Sequence, residues 1–203
     1  MCEYLQRLLT CAVSVEASDW ALVRRCKEND REAFRELVER YQRKAVAIAL
    51  GMLHDREDAL EVAQEAFAKV FTSIKQFKEE ASFYTWLYRI VVNLAIDRQR
   101  QKGRQPLLER EESEDGEGDL VETMPAEAAA DPYEKVKDKE LRDRIWTAID
   151  ELTPSHKAVI LLREVEGLSY EEISEILQCS RGTVMSRLHY ARKRLQSRLR
   201  DAV

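Results

Sequence analysis

A basic stretch near the end of the chain carries the side chains best suited to bind DNA. No acidic residue occurs in residues 181–200. Apolar residues recur at i, i+4, i+7 and i+11, namely Val184, Leu188, Ala191 and Leu195. This spacing predicts a helix with one narrow buried stripe. The opposite face carries Met185, Ser186, His189, Tyr190 and Lys193. A polar, basic helix face of this kind fits the major groove and its phosphates.

The residues just before this helix predict a second helix that would position it. Ser169 and Glu172 have the spacing of a capping box, and residues 178–180 form a short polar turn. Residues Ile173, Ile176 and Leu177 supply an apolar face. Cap, turn length and charge segregation together favour a helix-turn-helix over a surface helical hairpin with a solvated basic helix.

A second group of aromatic residues has the composition of a single-stranded DNA site. Five of the fifteen aromatic residues fall within twelve positions: Phe77, Phe83, Tyr84, Trp86 and Tyr88. Basic residues flank them, and rings that stack on bases beside such cations bind single strands. For each ring, burial in a helix core is the open alternative. Phe77 lies in a polar stretch between apolar helices, so we expect it to be exposed.

An acidic helix precedes the aromatic group. It carries Asp55, Glu57, Asp58, Glu61 and Glu65. A di-iron bundle would require Glu-x-x-His pairs, and the sequence contains none. The four cysteines and three histidines also lack metal-ligand spacing, so no cofactor and no metal are expected. Two interpretations of the acidic helix remain, a solvated face and a docking face for a basic partner.

The charge distribution divides the chain into two basic-ended parts. The net charge is −5, but ten acids and one base fall between Glu109 and Asp131. Residues 105–131 hold few large apolar groups, so we expect a flexible acidic linker. The sequence predicts an all-α fold of two small helical domains, residues 19–104 and 132–203, with residues 1–18 as an N-terminal arm. No membrane span or signal peptide is predicted, which favours the cytoplasm.

Helix caps and apolar periodicity set the expected elements. In the first domain, Asn29 or Asp30 and then Asp55 or Asp58 can begin helices. Residues 83–104 are expected to form a helix despite their β-branched residues. In the second domain, a first helix is expected from about residue 132 to 150. Thr153 is expected to cap the next helix, with Pro154 at its first position.

The motifs in this order resemble the sigma-70 superfamily. The chain carries DREDALEVAQEAFAKVF, SFYTWLYRIVVNLAIDRQR, an acidic stretch and ELTPSHKAVILLREVEGLSYEEISEILQCSRGTVMSRLHYARKRL. More narrowly, it resembles the extracytoplasmic-function, or group IV, sigma factors of the sigma-E type. The resemblance implies that residues 19–104 are sigma region 2 and residues 132–203 are sigma region 4.

The resemblance also implies roles for particular residues. It assigns core polymerase docking to Asp58, Gln64 and Glu65. It assigns binding and melting of the −10 element to Phe77, Trp86, Tyr88 and Asn93. Together with the helix periodicity, it assigns −35 base recognition to Met185, Ser186, His189 and Tyr190. The remaining polar and basic residues of this helix are expected to contact DNA phosphates: Arg181, Thr183, Arg192, Lys193 and Arg194.

Expected partners follow from the same resemblance. They are core RNA polymerase through its β and β′ subunits, promoter DNA, and a restraining anti-sigma factor that provides the only expected link to a membrane. Met185 stands where many relatives have a basic residue, which leaves the −35 sequence open. A stand-alone helix-turn-helix regulator is the alternative, and it would bind an operator as a dimer. No nucleophile–base pair or phosphate loop indicates an enzyme.

Overall fold

The computed structural model describes residues 18–78, 81–104 and 144–200, and these ranges contain helices and no strand. The first unit comprises α1 (Asp19–Lys27), α2 (Arg31–Leu53), α3 (Arg56–Ser73), a 3-10 turn (Ile74–Gln76) and α4 (Phe83–Arg104). The second comprises α5 (residues 144–150), α6 (Pro154–Ile160), a π-helical turn (Leu161–Val165), α7 (Tyr170–Leu177) and α8 (Arg181–Leu199). The all-α prediction is confirmed.

Polar side chains begin the helices of the first unit. Asp30 accepts hydrogen bonds from the backbone of Glu32 and Ala33, and Asp55 accepts one from Asp58. Of the caps that the sequence allowed, the structure therefore uses Asp30 and Asp55. Asn29 instead adopts a left-handed φ of 69° in the turn between α1 and α2, a conformation that asparagine tolerates better than most residues.

The core of the first unit lies between α2, α3 and α4. These helices bury apolar side chains that recur every three or four residues, including Leu37, Tyr41, Ile48, Val62, Val70, Leu87 and Val91. Tyr41 and Phe83 meet with ring centroids 5.4 Å apart. Residues 83–104 form the predicted helix, since these contacts outweigh the low helix propensity of their β-branched residues.

The second unit is built around the helix-turn-helix. Thr153 takes the N-cap position of α6 and Pro154 its first helical position, as predicted, but the Thr153 side chain makes no capping hydrogen bond and its hydroxyl contacts His156 Nδ1 at 2.7 Å. Gly167 adopts a φ of 71° before α7, a conformation that glycine supplies without steric cost. The capping box of Ser169 and Glu172 is formed at the start of α7. The segment expected to be helical from residue 132 is described only from residue 144, and it is helical from there to residue 150.

The two units pack against each other. A Cβ placed on Gly51 of α2 would lie 2.7 Å from a methyl carbon of Leu161, so the units approach closely. Beside this contact, the Lys157 side chain is 1% exposed. Its ammonium group donates to the Met52 carbonyl at 3.3 Å and to Asp150 at 2.5 Å. The expected arm and acidic linker lie outside the described residues, apart from Ser18, which caps α1.

Candidate nucleic-acid interface

Helix α8 presents the predicted base-contacting residues to solvent. Its stripe residues Val184, Leu188 and Ala191 are at most 1% exposed, and Leu195 is partly buried against the same core. Ser180 caps the helix by accepting a hydrogen bond from the Thr183 backbone. The rotation fixed by this stripe leaves four predicted residues exposed: Met185, Ser186, His189 and Tyr190. The predicted stripe and its orientation are confirmed.

A shallow groove runs along the same side of α8. It has a volume of about 450 Å³ and includes Tyr170, Met185, His189, Arg192 and Lys193 in its lining. Tyr170 begins α7, so the groove lies where the two helices of the motif meet. Base-recognition and phosphate-contact candidates therefore share one continuous surface.

Several cations expected to contact phosphates are held by carboxylates within the chain. Arg192 pairs with Glu164 at 2.6 Å, and Arg181 pairs with Glu171 at 2.9 Å. The hydrogen bond from Arg192 to Glu164 holds the pKa of the guanidinium above its usual value. Arg194 lies 3.6 Å from Glu151. Exposed pairs of this kind contribute little to stability, so a phosphate can replace the carboxylate at small cost.

Phe77 is buried, which corrects the expectation that it is exposed. Only 7% of the residue is exposed. Its ring is stacked on Trp86 with centroids 4.5 Å apart and on Trp20 with centroids 6.2 Å apart. The polar sequence around Phe77 suggested an exposed ring, but both partners come from other helices, which the local sequence does not reveal.

The other aromatic residues of the group divide between core and surface. Phe83 is 1% exposed and Tyr88 is 2% exposed, whereas Trp86 is partly buried. The Tyr88 hydroxyl donates to Glu166 of the second unit at 3.2 Å. Burial and this carboxylate raise the pKa of Tyr88. Asn93 is exposed one turn farther along α4. The core interpretation is therefore correct for Phe83 and Tyr88, and the Tyr88 hydroxyl also contacts the second unit.

A second cavity lies where α4 meets the second unit. Its volume is about 490 Å³, and its lining includes Phe77, Lys78, Trp86, Arg89 and Glu175. Arg89 donates to the Glu175 backbone carbonyl at 2.7 Å, and its buried Nε has no hydrogen-bond partner. Two rings and two cations around one cavity match the chemistry of a nucleotide. Glu175 belongs to the second unit, so both units contribute to the lining of this cavity.

The acidic helix α3 has one buried acid and several exposed ones. Asp58 is 8% exposed and is held by Arg98 at 3.0 Å and by Lys102. Gln64 and Glu65 are exposed, and Leu60 is 41% exposed beside them. The clamp formed by Arg98 and Lys102 was not predicted from the sequence. Its signal was two cations four residues apart on α4 and three carboxylates at intervals of three residues at the start of α3, namely Asp55, Asp58 and Glu61.

Among residues 18–78, 81–104 and 144–200, no cluster of three potential metal ligands occurs. Within the same ranges, no helix combines the length and apolar character needed to cross a bilayer.

Comparison with known proteins shows the family. Residues 37–105 match sigma-70 region 2, and residues 142–195 match sigma-70 region 4. The chain is 41% identical to an ECF RNA polymerase sigma-E factor of Haemophilus influenzae, over 91% of this chain and 96% of that protein. The chain therefore belongs to the extracytoplasmic-function sigma factors of the sigma-70 family. This is a family of transcription initiation factors and not of enzymes.

Solved structures support the fold. CnrH, solved with the cytosolic domain of CnrY, matches with a TM-score of 0.66 at 21% identity, covering 92% of this chain and 99% of that one. The sigma factor RpoE of Bartonella quintana, solved with the anti-sigma factor NepR, matches with a TM-score of 0.60 at 24% identity, covering 82% and 96%. At these identities the likeness establishes the arrangement of helices.

Proposed function

We propose that this sigma factor directs core RNA polymerase to promoters through two DNA surfaces and a separate docking face. The observation that carries the proposal is the orientation of α8. Its buried stripe leaves a polar, basic face in solvent, as major-groove binding requires. The protein contributes binding and positioning, while catalysis belongs to the polymerase. It acts in the cytoplasm, where promoter DNA is reached.

The second unit, residues 132–203, binds the −35 element in this proposal. Met185, Ser186, His189 and Tyr190 contact base edges, because they occupy the exposed face of α8. The flanking residues contact phosphates and set affinity more than sequence preference: Arg181, Thr183, Arg192, Lys193 and Arg194.

The first unit, residues 19–104, binds and helps to melt the −10 element. Trp86 offers a ring beside the cavity that Arg89 and Lys78 line, and Phe77 supports this ring by stacking on it. Aromatic rings next to cations hold an unpaired strand by stacking and by charge. Asn93 is exposed and available to a base edge, and Tyr88 joins the surface once the second unit has moved away.

The exposed face of α3 docks on core polymerase, on its β′ subunit in this proposal. Gln64 and Glu65 supply polar contacts around Leu60, an arrangement of apolar centre and charged rim that is common in interfaces. Asp58 acts in this site by fixing α3 on α4 through Arg98 and Lys102, since little of its own surface is exposed.

An anti-sigma factor restrains this protein in our proposal. The support is that a matching fold, RpoE of Bartonella quintana, was solved with an anti-sigma factor. A membrane-anchored inhibitor would be the route by which a signal at the envelope reaches this protein. A stress response is the corresponding physiological role.

Run-off transcription with core polymerase tests the function directly. A promoter-specific transcript should appear only when this protein is added. Leu60→Asp with Glu65→Arg should abolish the transcript and core binding, because both changes alter the proposed docking face. Glu32→Arg is the matched control, since Glu32 is exposed on α2 away from this face, with its side chain 69% exposed. Specific operator binding by a dimer without polymerase would instead establish a stand-alone regulator.

A further inference from the structure

Three aromatic rings form a continuous stack across the first unit. Trp20 of α1 is nearly parallel to Phe77, with an interplanar angle of 13° and centroids 6.2 Å apart. Phe77 is in turn nearly parallel to Trp86 of α4, with an angle of 21° and centroids 4.5 Å apart. The rings come from three separate segments, so the tertiary fold assembles the stack.

The order of the rings decides which of them a nucleobase can reach. Phe77 contacts both indoles and the Lys27 ammonium group and is 7% exposed, so little of its ring is available to a base. Trp20 is at the end of the stack and is 36% exposed. It can therefore accept a base without any rearrangement of the other rings.

Two lysine side chains lie beside the stack. The Lys27 ammonium group, on the same helix as Trp20, lies 6.0 Å from the Phe77 ring centroid. Lys78 lines the cavity beside Phe77 and Trp86. A ladder of rings with cations along it is the arrangement that binds the bases and backbone of a single strand. A single exposed tryptophan without these neighbours would be an ordinary surface residue and would not indicate a binding site.

We propose that Trp20 is a DNA-contacting residue whose outer indole face stacks on an unpaired base of the promoter strand. The inference rests on the proposed binding of the −10 element by the first unit, and it adds a residue of α1 to that surface. Stacking is tolerant of base identity, so Trp20 contributes affinity for the open strand more than sequence preference. Phe77 then serves as the ring that positions Trp20 and Trp86.

The fluorescence of Trp20 gives a direct test, because the chain has three tryptophans. In the full chain with Trp86→Phe and Trp146→Phe, only Trp20 emits. Titration with a single-stranded −10 oligonucleotide should quench this emission to saturation. A fully paired duplex of the same sequence should leave the emission nearly unchanged, since its bases are not available for stacking. Absence of quenching by the single strand, or equal quenching by the duplex, would overturn the proposal.

Affinity measurements with the polymerase holoenzyme complete the test. On a fork promoter with an unpaired −10 strand, Trp20→Leu should weaken binding by about 5- to 150-fold, the range for loss of one base–aromatic stack. Trp20→Tyr should retain most of the affinity, because a phenol ring still stacks. Helix content and thermal unfolding of both variants would identify a folding defect.

Separate outcomes distinguish this inference from the proposed function. If the wild-type chain fails to support transcription with core polymerase, the proposed function is wrong. If transcription is normal while Trp20→Leu and wild type bind the fork promoter equally, only the role of Trp20 is wrong. Equal losses of promoter affinity for Trp20→Leu and Trp20→Tyr would also contradict the proposal, because tyrosine can stack on a base and leucine cannot.

Discussion

On α8, the residues proposed to contact bases face solvent, with Met185 55% exposed and Tyr190 62% exposed, whereas Tyr88 on α4 is 2% exposed. Tyr88 lies in the core, and helix α7 and the loop that precedes it contact α4 on this side. The hydroxyl of Tyr84 donates to Glu172, and Tyr88 donates to Glu166. The proposed strand-binding surface is thus partnered within the chain, whereas the proposed base-contacting residues of α8 are exposed.

This asymmetry has an energetic consequence. Binding of the −35 duplex requires only that phosphates replace exposed carboxylates beside α8, which costs little. In the proposed function, access of the −10 strand to Tyr88 would require separation of the two units, which would break buried contacts such as those of Lys157. We call the form with separated units the open form, and the form with packed units the closed form. A ligand that binds only the open form must offset the cost of separation, so its apparent affinity is its intrinsic affinity multiplied by the fraction of open molecules.

The largest effect is expected when the contact between the units is overpacked. Gly51→Leu should push Leu161 away, because even a Cβ at this position would lie 2.7 Å from it. Overpacking costs about 1–3 kcal/mol, which would favour the open form by roughly 5- to 150-fold. Fluorescence anisotropy should show tighter binding of a −10 single strand and unchanged binding of a −35 duplex.

Small-angle scattering provides the control for Gly51→Leu. The radius of gyration should increase while helix content is retained, and Gly51→Ala should show a smaller increase. An unchanged radius together with unchanged strand affinity would mean that the contact does not limit access to α4.

An effect of similar size is expected for substitutions on the exposed face of α8. His189→Ala or Tyr190→Ala should change which −35 sequences are used, since a lost base contact costs about 1–3 kcal/mol at the matched site. Arg194→Ala should weaken all promoters similarly and reduce the salt dependence by about one counterion. Transcription from a randomised −35 library separates the two patterns, and a sequence shift confined to Arg194→Ala would reverse the assignment.

Removal of a single hydroxyl group should have a smaller effect on the packing of the two units against each other. Tyr84→Phe and Tyr88→Phe keep the rings but each removes a hydrogen bond to the second unit, worth about 1 kcal/mol. Hydrogen exchange of the α7 amides should increase about fivefold for each variant. Tyr41→Phe is the matched control, because Tyr41 bonds Asp19 within the first unit. If Tyr41→Phe accelerates hydrogen exchange in α7 equally, the effects of Tyr84→Phe and Tyr88→Phe do not report on the contact between the two units.

The smallest expected effect is a pH dependence of the packing of the two units against each other. Hydrogen bonds from the Tyr84 hydroxyl and from Ser169 hold the pKa of Glu172 below its usual value of 4.5. The carboxylate therefore stabilises the closed form above pH 4.5, and this contribution is lost as the pH falls through the lowered pKa. Exchange in α7 should rise in that window, and Tyr84→Phe should reduce the rise. An identical pH profile in this variant would exclude Glu172 as the group responsible.

Local patterns allowed much of the fold and one surface to be predicted. The α8 stripe and the Ser169–Glu172 capping box both arise from residues within a few positions of each other, and both are confirmed. Phe77 was wrongly expected to be exposed, because Trp20 is far from it in sequence and its other partner Trp86 lies on a separate helix. Asp58 is held by Arg98 forty residues later, a pairing that no local pattern specifies.

The sequence by itself determined the helices, their caps and the outward face of α8, because periodicity and capping act over one or two helical turns. The family was also evident from motif order. Only the tertiary structure decided that Tyr88 is covered, that Lys157 is buried between the units, and that Trp20 ends a stack of three rings. These features depend on side chains from distant segments packing together, and packing of this kind follows from the three-dimensional arrangement of whole helices.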